Sequence, residues 1–242
     1  VTGGSRSEIF GKINGDKVNV FLINPNGILF GATAQVDVGN LYASTRSLDA
    51  AARKGFNGSL NGLDAAGTAN VKKDIINLGT VAADSITFEG KNISIVSADK
   101  LTIKNSGGYS KVALKAADDI NVGFQVDKIT VSDLGDGVNH NVGDYASGAG
   151  TKASSLGMQA SGLTGNAKTV QDYMLVNDVY ELQAIKNNKS GQYMLANDIE
   201  AGGTKNWNSN AGFTPLNGFK GKLDGLRSEE RRVGKECRSR WS

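Results

Sequence analysis

Cysteine is nearly absent from this 242-residue chain; Cys237 is the only one. A body without thiols builds neither a disulfide scaffold nor a thiolate metal site. Proline occurs twice and aromatics make up 7%. So few bulky side chains argue against a layered globular core and fit a fold that turns often and stacks small units. No apolar run approaches the ~20 residues with which a helix crosses a bilayer. An excess of one charge is missing too. The net +3 comes from residues 227–242, "RSEERRVGKECRSRWS", with six basic and three acidic residues; residues 1–226 carry 21 charges of each sign. No Lys/Arg cluster marks a nucleic-acid surface, so no nucleic-acid partner is expected.

What the chain does have is 32 Gly, 23 Asn and a short repeating pattern. Six apolar–small/polar–apolar triplets stand at Ile86–Phe88, Ile93–Ile95, Leu101–Ile103, Val112–Leu114, Ile120–Val122 and Ile129–Val131. Period two is the strand signature. Their first residues lie 7, 8, 11, 8 and 9 apart, which is too close for sandwich strands but right for the sides of a coil. Three sides per turn predict a coil of 26 residues, Ile86 to Val112. The inward residues would be Ile86, Phe88, Ile93, Ile95, Leu101, Ile103, Val112, Leu114, Ile120, Val122, Ile129 and Val131. A unit too small to enclose a core must stack on its neighbours. The fold expected is all-β, a parallel β-helix with extra-helical hairpin or loop excursions; a β-sandwich is the runner-up.

Residues 1–50 read the same way, and Val18–Ile23 is apolar enough to be covered on both faces. Residues 51–75 read as an excursion. The β-helix domain is assigned to 1–138, a Gly/Ser/Ala-rich linker or loop to 139–170, and a second strand-rich module to 171–226. That module carries the repeat "YMLVND" (173–178) and "YMLAND" (193–198), with a helix between them spaced on Val179, Leu182 and Ile185 and N-capped by Asn177 or Asp178. Residues 227–242 read as a non-native read-through tail. Val1 falls in mid-pattern, so a fragment is expected.

The stretch "FLINPNGILFGA" places Asn24, Pro25, Asn26 and Gly27 between apolar runs. Asn side chains bond nearby backbone, Pro presets φ, and Asn-Gly tolerates a sharp exit, so this is a corner between strands. Here a resemblance becomes specific. "NVFLINPNGILFGATAQVDVGNLYAST", with "VTGGSRSEIFGKI" before it and "STRSL" after, resembles the N-terminal secretion domain of two-partner secretion exoproteins of the filamentous-haemagglutinin type. Asn24, Pro25, Asn26, Gly27 and Ile28 match the family's NPNGI motif, and the likeness covers about residues 1–130. Residues 175–225 resemble the start of an adhesin-like β-solenoid passenger. The family's NPNL motif is absent, so this copy is expected to be incompetent for secretion as it stands.

The resemblance implies a right-handed parallel β-helix and no enzymatic activity. It implies the secretion module of a large secreted or surface-exposed adhesin of a Gram-negative bacterium, exported through the periplasm. The partner would be an outer-membrane β-barrel transporter whose periplasmic domains recognise the module, with Asn24, Pro25, Asn26, Gly27 and Ile28 as recognition residues or as a structural turn. The passenger would cross extended and fold outside, coil by coil. A host-cell or glycan receptor would be reached through the downstream passenger. The same module could instead carry a haemolysin, a haem-acquisition protein or a contact-dependent toxin.

Other residues have plainer readings. Asp84, Asp99 and Asp118 recur in Ala-Asp-x-apolar units and are expected to cap turns. Their spacing suits no calcium loop, and no metal, cofactor or catalytic residue is assigned. A β-helical carbohydrate-active enzyme, with stacked carboxylates doing acid–base work, is the alternative class. His140 is expected in solvent. Ser44, Thr45 and Ser47 have no base nearby in sequence. Trp207 and Phe213 are expected as core anchors, or as a glycan-binding pair if exposed.

Overall fold

The computed structural model describes residues 4–48 and 71–226. They carry β1 (Ser7–Ile9), β2 (Lys12–Ile23), β3 (Ile28–Phe30), β4 (Gln35–Ser44), β5 (Ile75–Asn77), β6 (Thr80–Ala83), β7 (Ser85–Gly90), β8 (Ile93–Ile95) and β9 (Leu101–Ile103). Then follow β10 (Val112–Ala116), β11 (Ile120–Phe124), β12 (Lys128–Ser132), β13 (Asn139–Gly143), β14 (Gln159–Gly162), β15 (Val170–Val176), α1 (Val179–Ala184), β16 (Gln192–Leu195) and β17 (Lys222–Asp224). The chain divides into two compact units, Val1–Val122 with Ala153–Gln171 and Gly123–Lys152 with Asp172–Ser242.

The first unit is a β-helix-like stack of parallel strands. One face carries β1, β3, β5, β8 and β11 in that order. Ile28, Ile75, Ile93 and Ile120 are register partners there, and Phe30, Asn77, Ile95 and Val122 form the next column. A second face stacks Ile13, Val36, Val81 and Leu101. A third stacks Val20, Leu41, Ile86 and Val112 in one column and Leu22, Ala43, Phe88, Leu114 and Ala160 in another. β2 and β4 are long because each turns a corner and serves two faces, with an irregularity between Gly15 and Asn19. Period-two patterning sends alternate side chains inward, and they meet in one core that includes Phe30, Phe88, Ile93 and Leu114. Fully burying each such side chain contributes roughly 1.5–3 kcal/mol. The rings of Phe30 and Phe88 stack at 5.8 Å.

The coil length expected from sequence is met, since Ile86 and Val112 are direct partners. Of the twelve expected inward residues, nine from Ile86 to Val122 are buried, and Ile103 is half-buried. Ile129 and Val131 are the correction. They lie in β12, which pairs antiparallel with β13, and Ile129 is exposed. The cause is the turn: Asp133 Oδ1 accepts from the Gly135 and Gly137 amides at 2.7 and 3.1 Å. This Asx turn folds the chain back before the strand can become another rung. Val18–Ile23 is half-buried, with Val18 exposed, rather than covered on both faces. Most of the 51–75 excursion and the whole 227–242 tail lie outside the described residues. Residues 139–170 carry β13, a 3-10 turn at Ala153–Leu156 and β14, and Val142, Tyr145 and Ala153 are buried.

Gly79 marks a close backbone approach between coils of the first unit. A Cβ there would lie 2.6 Å from the Ala34 carbonyl oxygen and 2.7 Å from that of Gly31. Only glycine fits where two backbones pass so closely.

In the second unit β15, β16 and β17 run parallel. The two YML repeats do not superpose: Met174 pairs with Tyr193 and Leu175 with Met194, one residue out of step. The predicted helix is α1, and Asp178 is its N-cap, its Oδ1 accepting from the Glu181 amide at 2.8 Å. Ile185 is buried as expected, but so are Glu181 and Gln183. Gln183 pairs with the Thr214 backbone, donating Nε2–H to its carbonyl and accepting from its amide. The apolar core includes Phe124, Val142, Tyr145, Val176, Ile185 and Tyr193.

Candidate functional site

The Asn24–Ile28 stretch forms the corner between β2 and β3. The Gly27 amide donates to the Asn24 carbonyl at 3.1 Å, closing a β-turn. Asn24 is fully buried. Its Oδ1 accepts from the Asn26 amide at 2.9 Å, and its Nδ2 donates to the Ser5 carbonyl at 3.0 Å and to Ser7 Oγ at 2.9 Å. The side chain thus shapes its own turn and ties it to the preceding coil. The backbone continues the pattern, with the Asn24 amide donating to the Ser44 carbonyl, Ser7 to Gly27, and Ile28 to Asp74. Gly27 has φ +111, a left-handed conformation that favours glycine. Ile28 heads the buried isoleucine column, whereas Pro25 and Asn26 are half-exposed. One motif therefore presents two kinds of surface: Asn24, Gly27 and Ile28 face the fold, and Pro25 and Asn26 reach the outside.

Below the motif the same corner repeats in different letters. Asp74, Asn92 and Asp119 each precede an inward isoleucine, and the Ile75 and Ile93 amides donate to the Asn92 and Asp119 carbonyls. Asp74 Oδ1 accepts from Asn92 Nδ2 at 2.9 Å and Asn92 Oδ1 from the Asp119 amide at 3.2 Å. Gln171 Nε2 donates to Asp119 Oδ1 at 2.9 Å. The sequence signal of this polar ladder is an Asn or Asp directly before an Ile-led triplet. The expected capping role of Asp84, Asp99 and Asp118 is corrected. Ser97 Oγ caps the Ala98–Lys100 turn, accepting from the Asp99 amide. Asp118 makes a half-exposed ion pair with Lys91 at 3.7 Å, and the Asp84 contact is a backbone one, its amide donating to the Gly39 carbonyl.

Two buried carboxylates also went unread. Glu89 takes the Tyr42 hydroxyl on Oε2 and Arg46 on Oε1, with Arg46 Nη2 at 2.9 Å. Burial, then the Glu89 hydrogen bond, push the Tyr42 phenol above its ordinary value. Glu181 is held by Lys128 on Oε1 and by the Asn177 amide and side chain on Oε2, both at 2.8 Å. Asn177 is local to Glu181, but the Tyr42, Arg46 and Lys128 partners lie 43 to 53 residues away in sequence, so no local pattern reveals them.

The remaining candidates are not drawn together. Ser44 Oγ accepts from the Arg46 amide, and Thr45 Oγ1 donates to the Lys73 carbonyl. His140 is half-buried rather than in solvent, paired with Asp136 at 2.8 Å and stacked on Tyr180 at 3.7 Å. Trp207 is buried and stacks on Tyr180 at 5.2 Å, which suits a core anchor. Among the described residues no three His, Cys, Asp or Glu side chains are grouped to hold a metal ion.

Comparison with known proteins adds the following. The family model described as the TPS secretion domain matches residues 1–208, which takes the likeness well past residue 130 and through β16. A heme/hemopexin-binding protein of Haemophilus influenzae is 40% identical over 62 residues. That stretch is 26% of this chain and 6% of the relative. No solved structure matches.

Proposed function

The chain belongs to the TPS secretion domain family, and from that premise we propose that it is the secretion module of a large adhesin, exported through the periplasm of a Gram-negative bacterium. Its partner is an outer-membrane β-barrel transporter whose periplasmic domains recognise the module. The passenger is delivered to the cell surface or the medium, where it reaches a host-cell or glycan receptor. The stack is taken to coil with right-handed sense, as parallel crossovers generally do. The observation that carries the reading is the build of the corner. Asn24, Gly27 and Ile28 are consumed by the fold, while Pro25 and Asn26 reach the surface. A motif with an outward half is suited to be read by a partner. The similarity to a heme/hemopexin-binding protein covers 6% of that protein, too small a share to carry its cargo to this chain.

The experiment separates the two halves of the motif. Pro25→Ala with Asn26→Ser, and separately Gly27→Ala, are placed in the full-length exoprotein alongside its transporter. Secreted amount and folded yield of the isolated module are measured for each. The proposal expects the outward pair to lose secretion by tenfold or more with the fold intact. Unchanged secretion from the outward pair overturns recognition through this motif and leaves only a structural corner.

A further inference from the structure

In the second unit one buried carboxylate holds an amine and a carboxamide at once. Glu181 is fully buried on α1. Lys128 Nζ, from the first residue of β12, pairs with its Oε1. Asn177 Nδ2, just after β15, donates to its Oε2 at 2.8 Å. The Asn177 amide is fixed from a second side, since Nδ2 also donates to Gln125 Oε1 at 3.2 Å. Tyr145 closes the site, its hydroxyl donating to the Leu175 carbonyl at 2.7 Å and standing 3.4 Å from Glu181 Oε2. The other lysine–carboxylate pairs differ. Asp16, Asp37 and Asp118, partners of Lys104 and Lys91, are 76, 59 and 53% exposed. Where a carboxylate holds a carboxamide elsewhere, Asp74 with Asn92 and Asp119 with Gln171, the described hydrogen bonds bring no lysine to either carboxylate. Glu181 thus joins a lysine and a carboxamide on one buried carboxylate.

We propose that Lys128 and Asn177 form an intramolecular isopeptide bond, with Glu181 as the proton shuttle. Glu181 takes a proton from the Lys128 ammonium. The neutral Nζ attacks Cγ of Asn177, forming the Nζ–Cγ bond. Glu181 passes its proton to Nδ2 as the Cγ–Nδ2 bond breaks, and collects the proton shed by the new amide nitrogen. That proton leaves with ammonia as ammonium, so charge balances and no oxidant or reductant is needed. Burial, the main influence on Lys128, lowers its pKa and favours the neutral amine, although nearby Asp178 opposes this. Holding both side chains on one carboxylate gives the pair the proximity advantage of an intramolecular reaction. The bond would close the loop between residues 128 and 177, as a disulfide does, in a body that has no cysteine. It can form only once Lys128, Asn177 and Glu181 have been brought together by folding, so an extended chain in transit stays unlinked.

The test is the intact mass of the folded 242-residue chain, followed by peptide mapping under denaturing, reducing conditions. The expected result is a mass lower than the sequence mass by one ammonia, with a branched peptide joining Lys128 to Asn177. Lys128→Arg and Glu181→Gln are expected to keep the sequence mass. A folded wild-type chain at the sequence mass overturns the proposal without any variant. So does the deficit without the branched peptide, which marks a cyclic imide at an Asn-Gly step, and so does a deficit that persists in Lys128→Arg.

Discussion

Replacing Asn24 by Ala tests whether the corner is held by its side chain or by the backbone alone. The change removes three hydrogen bonds: Oδ1 to the Asn26 amide at 2.9 Å, and Nδ2 to the Ser5 carbonyl and Ser7 Oγ at 3.0 and 2.9 Å. Each is worth about 1 kcal/mol net. Of the three ex-partners, Asn26 and Ser7 are half-buried and Ser5 is exposed; they recover some water, which keeps the expected loss at roughly 2–3 kcal/mol. Asn24→Asp sharpens the test. It keeps the acceptor facing Asn26 but turns a carboxylate oxygen toward the Ser5 carbonyl, so at neutral pH it is expected to cost at least as much as Ala. The assay is denaturant unfolding of the isolated module. Amide hydrogen exchange at Ser7 and Gly27, whose backbones pair at 3.0 Å, separates local opening from global loss. Two variants within about 0.5 kcal/mol of the parent, inside the range of ordinary surface substitutions, with unchanged exchange, would refute the account of the corner.

Two further perturbations bear on the core and on pH. Phe88→Ala empties a fully buried position beneath Phe30 and is expected to destabilise by ~3–5 kcal/mol in the same assay; Phe88→Leu is expected to cost much less, because it leaves a smaller cavity. The Tyr42 phenol, raised by burial and by Glu89, and that of Tyr193, pushed up to about 12 by burial, stay neutral in the folded chain above the ordinary value of 10.0. A raised pKa favours the protonated form, so the stability these groups contribute is complete below pH 10.0 and is lost as pH rises through their folded values. Denaturation midpoints should therefore fall above pH 10, and Tyr42→Phe should flatten that fall.

Much of the first unit could be read from its letters because its determinants are local. The triplets at 86–88, 93–95 and 101–103 each need only their own alternation to make a strand, and the interval from Ile86 to Val112 gave the correct coil length. The same alternation at Ile129–Val131 misled, because alternation marks a strand without naming its partner, and the following Asp133 turn chose an antiparallel one. At the corners the turn chemistry was legible at Asn24 but not at Asp74, Asn92 and Asp119, whose role depends on being stacked. Burial of Glu89 and Glu181 was illegible for a related reason. A carboxylate goes inside only when distant residues, Tyr42 and Arg46 in one case and Lys128 in the other, arrive to satisfy it.

The close pass at Gly79 carries a consequence for assembly. Rungs as alike as those led by Ile28, Ile75, Ile93 and Ile120 could in principle be threaded one storey out of place at little cost in greasy contact. The notch at residue 79 fits against the Gly31 and Ala34 carbonyls, while the equivalent position one storey further on is filled by the Ala98–Lys100 turn. A mis-stacked chain would drive side-chain bulk into main chain, so a single missing methyl works as an indexing tooth that counts the storeys.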